Sequence, residues 1–469
     1  MRRCPAPLAL SLIVTAGVVG VALAADVPKF TIEPLGDRVL ALRSGETGMD
    51  GLLALTSARG LVVIDTGISP TLTKVYRAKL EEVLGRRDFI YVINTHFHYD
   101  HTDGNQVFPE ATVVGNEATR RRMLEWNASR DAFVANQRTR VETWTQQAAQ
   151  AQPGSEQERR LRDLVANYTA ANDDLAGKDF ILVPPAITFT DRLSLHLGDM
   201  TVTLYPFGPG THTGDDVIAH VPEVGLIAVG DLFHPAYVQF LFQPGEGVDI
   251  DHKIGVLDAI LADPNGVKFV VNGHGARMTP ADLTARRDYM AAVWRGVQAE
   301  AKAGGTLAGA RARLPLDGEL AYLKRLGIPE DQLIRQHQAT VALVWLVANG
   351  GEDAAAAIER LVRAQGADAA RASFKQMLPQ RDNRYLVDER SLNALGYRLL
   401  GEGRTGDAIA VFEMNVEAFP DSWNVYDSLA EGLMTAGENE RAIELYRKSL
   451  QLNPQNSNAV TMLQRLQAP

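Results

Sequence analysis

Cysteine is nearly absent: the 469-residue chain carries one, Cys4. That residue lies in an N-terminal segment with the layout of a cleaved export signal, so the expected mature protein has neither disulfides nor thiolate ligands. A surplus of basic residues is missing as well. Lys and Arg number 47 against 57 Asp and Glu, and the formal charge of −10 becomes −12 if Arg2 and Arg3 leave with the signal. Nucleic-acid binding needs clustered cations to neutralise phosphates, so no nucleic-acid partner is expected. Low-complexity tracts are lacking too, and 46% apolar with 22% charged residues is the balance of a folded chain rather than a disordered one.

What is present begins with the signal. Arg2 and Arg3 precede an apolar run over 8–23, and Ala22-Leu23-Ala24 supplies a small-x-small cleavage site. Residues 1–24 are therefore expected to be removed, placing the protein in the periplasm or outside the cell. The length predicts two or three domains. Short apolar runs at 39–42, 52–55, 61–64 and 89–93 read as strands. Ser69-Pro70 opens a helix that ends near Gly85, which makes an α/β domain. Helical spacing over about 116–175, broken at Pro153-Gly154, reads as an insertion, and strand signals return at 200–205, 217–221, 226–229 and 268–271. The arginines of the insertion, Arg120 to Arg122, Arg159 and Arg160, read first as a solvated face and second as an attraction for an anionic substrate. Its aromatics, Trp126, Phe133, Trp144 and Tyr168, either shape a pocket or fill a core.

A helical region follows over 286–385, and the last part, 386–469, repeats with a period of 34. Gly403 recurs as Gly437, Ala408 as Ala442, Phe412 as Tyr446 and Pro420 as Pro454. These pairs resemble the tetratricopeptide pattern of stacked helical hairpins, and a helix pair within 355–390 is expected to cap them. Such stacks bind protein partners or a second copy of the chain.

The densest chemistry lies in Thr95-His96-Phe97-His98-Tyr99-Asp100-His101-Thr102-Asp103-Gly104. In an extended turn alternate residues point the same way, so His96 and His98 can reach one cation while Asp100 and His101 face a second. Imidazole and carboxylate without sulfur suit zinc.

This motif resembles the signature of the metallo-β-lactamase superfamily, and four further segments resemble that family's other elements in order. They are Ile64-Asp65-Thr66-Gly67, Gly210-Thr211-His212-Thr213, Gly230-Asp231 and Asn272-Gly273-His274-Gly275. Family members often show a glycine two residues after the third-motif threonine, whereas here Gly214 and then Asp215 follow Thr213. The resemblance implies an αββα sandwich within 25–285, ahead of the all-α C-terminal region. It implies two zinc ions held by His96, His98 and His212 and by Asp100, His101 and His274, with Asp231 bridging both. Asp65 is then expected to orient a ligand, and His234 and Tyr99, beside the ligands, are candidates for lining a pocket for a small-molecule substrate.

The activity so implied is hydrolysis of an ester, thioester, lactone or amide by a bridging hydroxide, with Asp100 orienting the nucleophile and carrying its proton. Di-iron redox members of the superfamily place glutamate at the position of His98, and β-lactamases usually place cysteine or serine at that of Asp231. Antibiotic hydrolysis ranks second on that ground. A scaffold acting through the C-terminal repeats is the non-enzymatic alternative.

Overall fold

The computed structural model describes residues 30–44, 51–233, 240–241, 247–263, 266–274, 277–314, 328–381 and 383–467. The expected signal, 1–24, and His234 lie outside the described residues. Seven strands form the first sheet: β1 Phe30–Pro34, β2 Val39–Ser44, β3 Gly51–Thr56, β4 Leu61–Ile64, β5 Phe89–Ile93, β6 Thr112–Asn116 and β7 Ile187–Phe189. They lie in the sheet in chain order, antiparallel from β1 to β4 and parallel from β4 to β7. The second sheet runs in the reverse order, from β13 Arg277–Met278 through β12 Phe269–Val271, β11 Leu226–Ala228, β10 Val217–Val221 and β9 Thr201–Pro206 to β8 Leu193–His196.

Strand alternation sorts the apolar side chains into layers. Val62 and Ile64 of β4 join Leu53, Leu55 and Ile93 against Val202, Leu204, Val217 and Ala219 of the second sheet. Their neighbours Leu61 and Val63 point the other way, into a core with Leu72, Tyr76 and Leu80 of α1 (Pro70–Leu84). That period of two on strands buried on both faces is what a sandwich flanked by helices requires. On the far side, Ile218 and Ile227 meet Leu257 and Ile260 of Ile250–Leu261 and Met290 and Val293 of Pro280–Lys302. The layers therefore run α, β, β, α. Helix α1 is bounded as its sequence dictates: the Ser69 hydroxyl accepts from Leu72 N, and Gly85 closes the helix at φ 61°.

Three helices join β6 to β7: Glu117–Ala128, Arg130–Gln150 and Glu156–Ala176. The last reaches back to α1, where the Asp174 carboxylate accepts from Thr71 N at 2.8 Å and from the Ser69 hydroxyl.

Beyond Pro280 the described residues are largely helical. Helix Glu330–Ala348 shares its core with the second sheet through Val341, Leu343, Val344 and Trp345. Helices Ala354–Gln365 and Ala367–Met377 instead share a core with Glu389–Gly401, Thr405–Ala418, Trp423–Thr435, Asn439–Leu452 and Ser457–Gln467. The 34-residue period is visible in the turns. Gly403 (φ 76°) and Gly437 (φ 82°) make the same backbone bonds, to Leu400 O and Met434 O, each at 3.0 Å. Ala408 and Ala442 are fully buried, as are Phe412 and Tyr446.

Candidate metal centre

The centre forms where β5 ends. Asn94, Thr95 and His96 are buried beneath the strand end, and the chain then turns into a short helix, α2, Tyr99–Thr102. His96 and His98, on the bend between β5 and α2, bring their rings to 4.8 Å of one another. Asp100 and His101 diverge from them because the backbone has become helical, rather than because extended alternation continues through the whole motif. The other contributions arrive from loops after three strands of the second sheet: His212 after β9, Asp231 after β11 and His274 after β12.

The result is two groups of donors. His96, His98, His212 and Asp231 offer atoms all within 4.8 Å of one another, and so do Asp100, His101 and His274. Asp231 stands between them. Its Oδ2 lies 2.9 Å from His274 Nε2, 3.7 Å from His212 Nε2 and 3.9 Å from His96 Nε2, while Oδ1 lies 3.3 Å from His101 Nε2. Asp100 Oδ2 is 3.7 Å from both His101 Nε2 and His274 Nε2.

The donor set fits a cation. Among the described residues, His96 Nε2, His101 Nε2 and Asp231 Oδ1 are buried and make no hydrogen bond. Buried polar atoms rarely go unpartnered in a folded protein, and three of them within the two donor groups mark a place for a cation. Two of the imidazoles are meanwhile held from behind by hydrogen bonds through Nδ1, and a third is faced there by a carboxylate. His96 Nδ1 is 3.0 Å from the Thr95 hydroxyl, His101 Nδ1 is 3.0 Å from Asp65 Oδ2, and His212 Nδ1 is 3.6 Å from Asp216 Oδ1. Holding the ring by one nitrogen sets the tautomer that leaves the other free to coordinate.

Electrostatics point the same way. Burial pushes His98 down to about 4 and, with the neighbouring His101, holds His96 well below the ordinary imidazole range. Burial opposes a charge on His101 too, yet Asp231, Asp100 and Asp65 outweigh it and hold this imidazole well above that range. The Asp231 carboxyl is buried as well, and His101, His274 and His96 keep it well below the usual carboxylate range. The carboxylates around His101 thus favour positive charge at this position, which a bound cation would supply.

Asp65 sits at φ 58°, a left-handed conformation that aspartate tolerates better than most residues. From there its two oxygens accept from Thr95 N and the Thr95 hydroxyl, each at 2.8 Å, while Oδ2 also faces His101. Gly273 is required by space, since a Cβ there would lie 2.4 Å from His101 Cε1 and 2.7 Å from Asp231 Oδ1. Tyr99 turns into the three-helix insertion. Its ring packs 4.6 Å from Phe133 and 6.2 Å from Trp126, and its hydroxyl accepts from Gln137 at 3.1 Å. Trp144 packs at 5.0 Å on Tyr168.

Several residues that support the centre carry no sequence signal of that role. Asp216 accepts from the Thr211 hydroxyl at 2.7 Å and from Thr213 N and Gly214 N, each at 2.9 Å, so it shapes the His212 loop as well as facing the ring. Gly214 stands at φ 84°, which provides the turn after Thr213, and buried Asp215 accepts from Thr119 Oγ1 at 2.7 Å. Asn94 and Asn105 exchange side-chain hydrogen bonds of 3.0 and 2.8 Å beneath the His96 loop. Buried Lys253 donates to Pro209 O at 2.8 Å, tying the His212 loop to the helix behind it.

Residues 52–254 match the sequence model of the family described as the Metallo-beta-lactamase superfamily. No curated protein matches the chain. Among solved structures, a double mutant of the sec-alkyl sulfatase PisA1 is 16% identical over 92% of this chain and 65% of its own, with a TM-score of 0.44. The stereoselective inverting sec-alkylsulfatase Pisa1 from Pseudomonas sp. is 15% identical over 93% and 66%, with a TM-score of 0.42. A metallo-beta-lactamase from Pontibacter korlensis is 16% identical over 56% and 99%, with a TM-score of 0.37. The chain thus spans about two thirds of the length of the alkylsulfatases it matches, 65% of the first.

Proposed function

From a chain whose residues 52–254 form a metallo-β-lactamase superfamily domain, we propose an exported dinuclear zinc hydrolase that cleaves an ester, thioester, lactone or amide bond. The observation that carries this reading is the single Asp231 carboxylate facing both groups of imidazoles, with buried nitrogens aimed at it and no hydrogen bond to satisfy them. His96, His98 and His212 would hold one ion, Asp100, His101 and His274 the other, and Asp231 both. Zinc bound there supplies an acidified water at neutral pH and polarises the substrate oxygen.

The protein's own residues do the rest. Asp65 and Thr95 fix the rings of His101 and His96 from behind, and Asp216 shapes the loop that carries His212, so the donors are in place before substrate arrives. Asp100, its side chain 13% exposed, is the group that takes a proton from the attacking water and returns it to the leaving group. Arg2, Arg3 and the Ala22-Leu23-Ala24 site support export. The stacked C-terminal helices support docking of a protein partner or self-association.

Metal analysis of the purified protein, with a panel of ester, lactone, thioester and β-lactam substrates, tests the reading. Two zinc ions per chain are expected, together with hydrolysis that falls by about a thousandfold in His96→Ala. Absence of zinc from the wild type, or activity that survives the substitution, would overturn it, and turnover of the β-lactam alone would assign the antibiotic chemistry instead.

A further inference from the structure

Arg122 does not lie on a purely solvated face. It sits on Glu117–Ala128, one turn beyond Thr119, and that turn of helix docks on the loop carrying His212. Thr119 bonds one oxygen of Asp215, and Arg122 Nε approaches the other at 3.9 Å. The guanidinium lies 5.4 Å from the centre of the Phe97 ring, which itself stands 4.7 Å from the ring of His98. On its other flank, Arg122 Nη2 is 3.8 Å from the position a Cβ on Gly214 would take. Phe97 and Gly214 adjoin the donors His98 and His212 respectively, so the cation overhangs the first group of donors.

Three properties make this arginine a ligand group rather than a strut. Its side chain is 38% exposed. Among the described residues its guanidinium donates no hydrogen bond, although it carries five N–H donors in a planar fork. Stacking on Phe97 and the flanking Asp215 hold the plane in position, which lowers the cost of ordering it around an anion. Arg120, two positions earlier, behaves differently and donates to Pro185 O at 2.8 Å. A fork held in place with its N–H groups making no hydrogen bond, at the rim of a group of metal donors, suits a carboxylate or other oxyanion, which it can hold through two parallel hydrogen bonds.

We propose that Arg122 selects substrates bearing an anionic group next to the scissile bond, a proposal that rests on the hydrolase reading above. Phe97 and Gly214 form the walls of that subsite, and the anion lies over His98 and His212. Substrates lacking the charge bind without this contact.

The test compares two esters of matched shape, mono-4-nitrophenyl glutarate with a free carboxylate and 4-nitrophenyl valerate without one. It runs on the zinc-loaded full chain, alongside calorimetric binding of glutarate itself. Arg122→Ala is expected to lower kcat/KM for the glutarate ester by about 10- to 100-fold, mostly through KM, and to leave the valerate within about twofold. Arg122→Glu should act in the same direction more strongly, Arg122→Lys should restore part of the loss, and glutarate binding should weaken in parallel. Equal losses on both esters would show that Arg122 only braces the His212 loop through Asp215, and glutarate binding that ignores the substitution would overturn the subsite. If wild type hydrolyses neither ester while glutarate binding still depends on Arg122, the hydrolase reading falls and the anion subsite stands.

Discussion

The sandwich and the C-terminal stack are built on opposite principles. In the sandwich, His96 and His274 lie 178 positions apart in sequence yet end on either side of Asp231. The two halves of the centre meet only because two sheets pack face to face with their strand ends at one edge. In the stack each helix packs chiefly on its neighbours in sequence, and the same turn recurs 34 residues later with the same two backbone contacts. Packing between neighbours lets a stack tolerate change at a distance, whereas a site assembled across two sheets depends on every layer beneath it.

The sharpest way to break that comparison is Phe412→Ala. The Phe412 ring fills the space over Gly396 and Gly432, where added Cβ atoms would lie 2.3 and 3.1 Å from it, so it knits three helices together. Its loss should cost about 4 kcal/mol in the stack and leave zinc affinity unchanged, as read by denaturant melts and chelator competition. A fall in zinc affinity would show that the two regions share one cooperative core.

Lys253→Met asks the converse question within the sandwich. Burial lowers the Lys253 amine to about 8 from its ordinary 10.5. Between those values the unfolded chain binds more protons, so wild-type stability should rise with pH through that window. The burden of about 3 kcal/mol is fully present below pH 8. In Lys253→Met the part of the pH slope between 8 and 10.5 should disappear in urea melts, and His212 should become less well held as Pro209 loses its donor. An unchanged slope would mean that the amine is solvated and binds its proton as in the unfolded chain.

The smallest expected effect belongs to Asp65→Asn, which keeps the shape beside His101 and removes the charge. Zinc affinity should fall by about 10- to 100-fold in chelator competition, with the fold intact by circular dichroism. No change would reduce Asp65 to a strand-end cap on Thr95.

Legibility in the sequence followed locality. The runs at 39–42, 52–55, 61–64 and 89–93 stood out because they are apolar throughout, and they lie within strands that are largely buried on both faces. β7 and β8 at the sheet edges carry no comparable run, since Ile187, Thr188, Ser194 and His196 are exposed. Tyr99 shows the same limit at a single residue. Its place between His98 and Asp100 suggests a pocket wall, but α2 turns the side chain toward the aromatics of the insertion.

The sequence by itself determined the density of donors at 95–104, the order of the four other motifs and the 34-residue repeat, because each is a pattern of neighbours or of fixed spacing. The tertiary structure alone decided that Asp231 faces both groups, that Asp216 shapes the His212 loop, and that Thr119 and Arg122 reach the same loop. Those contacts join segments from different strands and helices, and their distances depend on how two sheets and a helical crossover pack. Spacing along the chain carries no record of that packing.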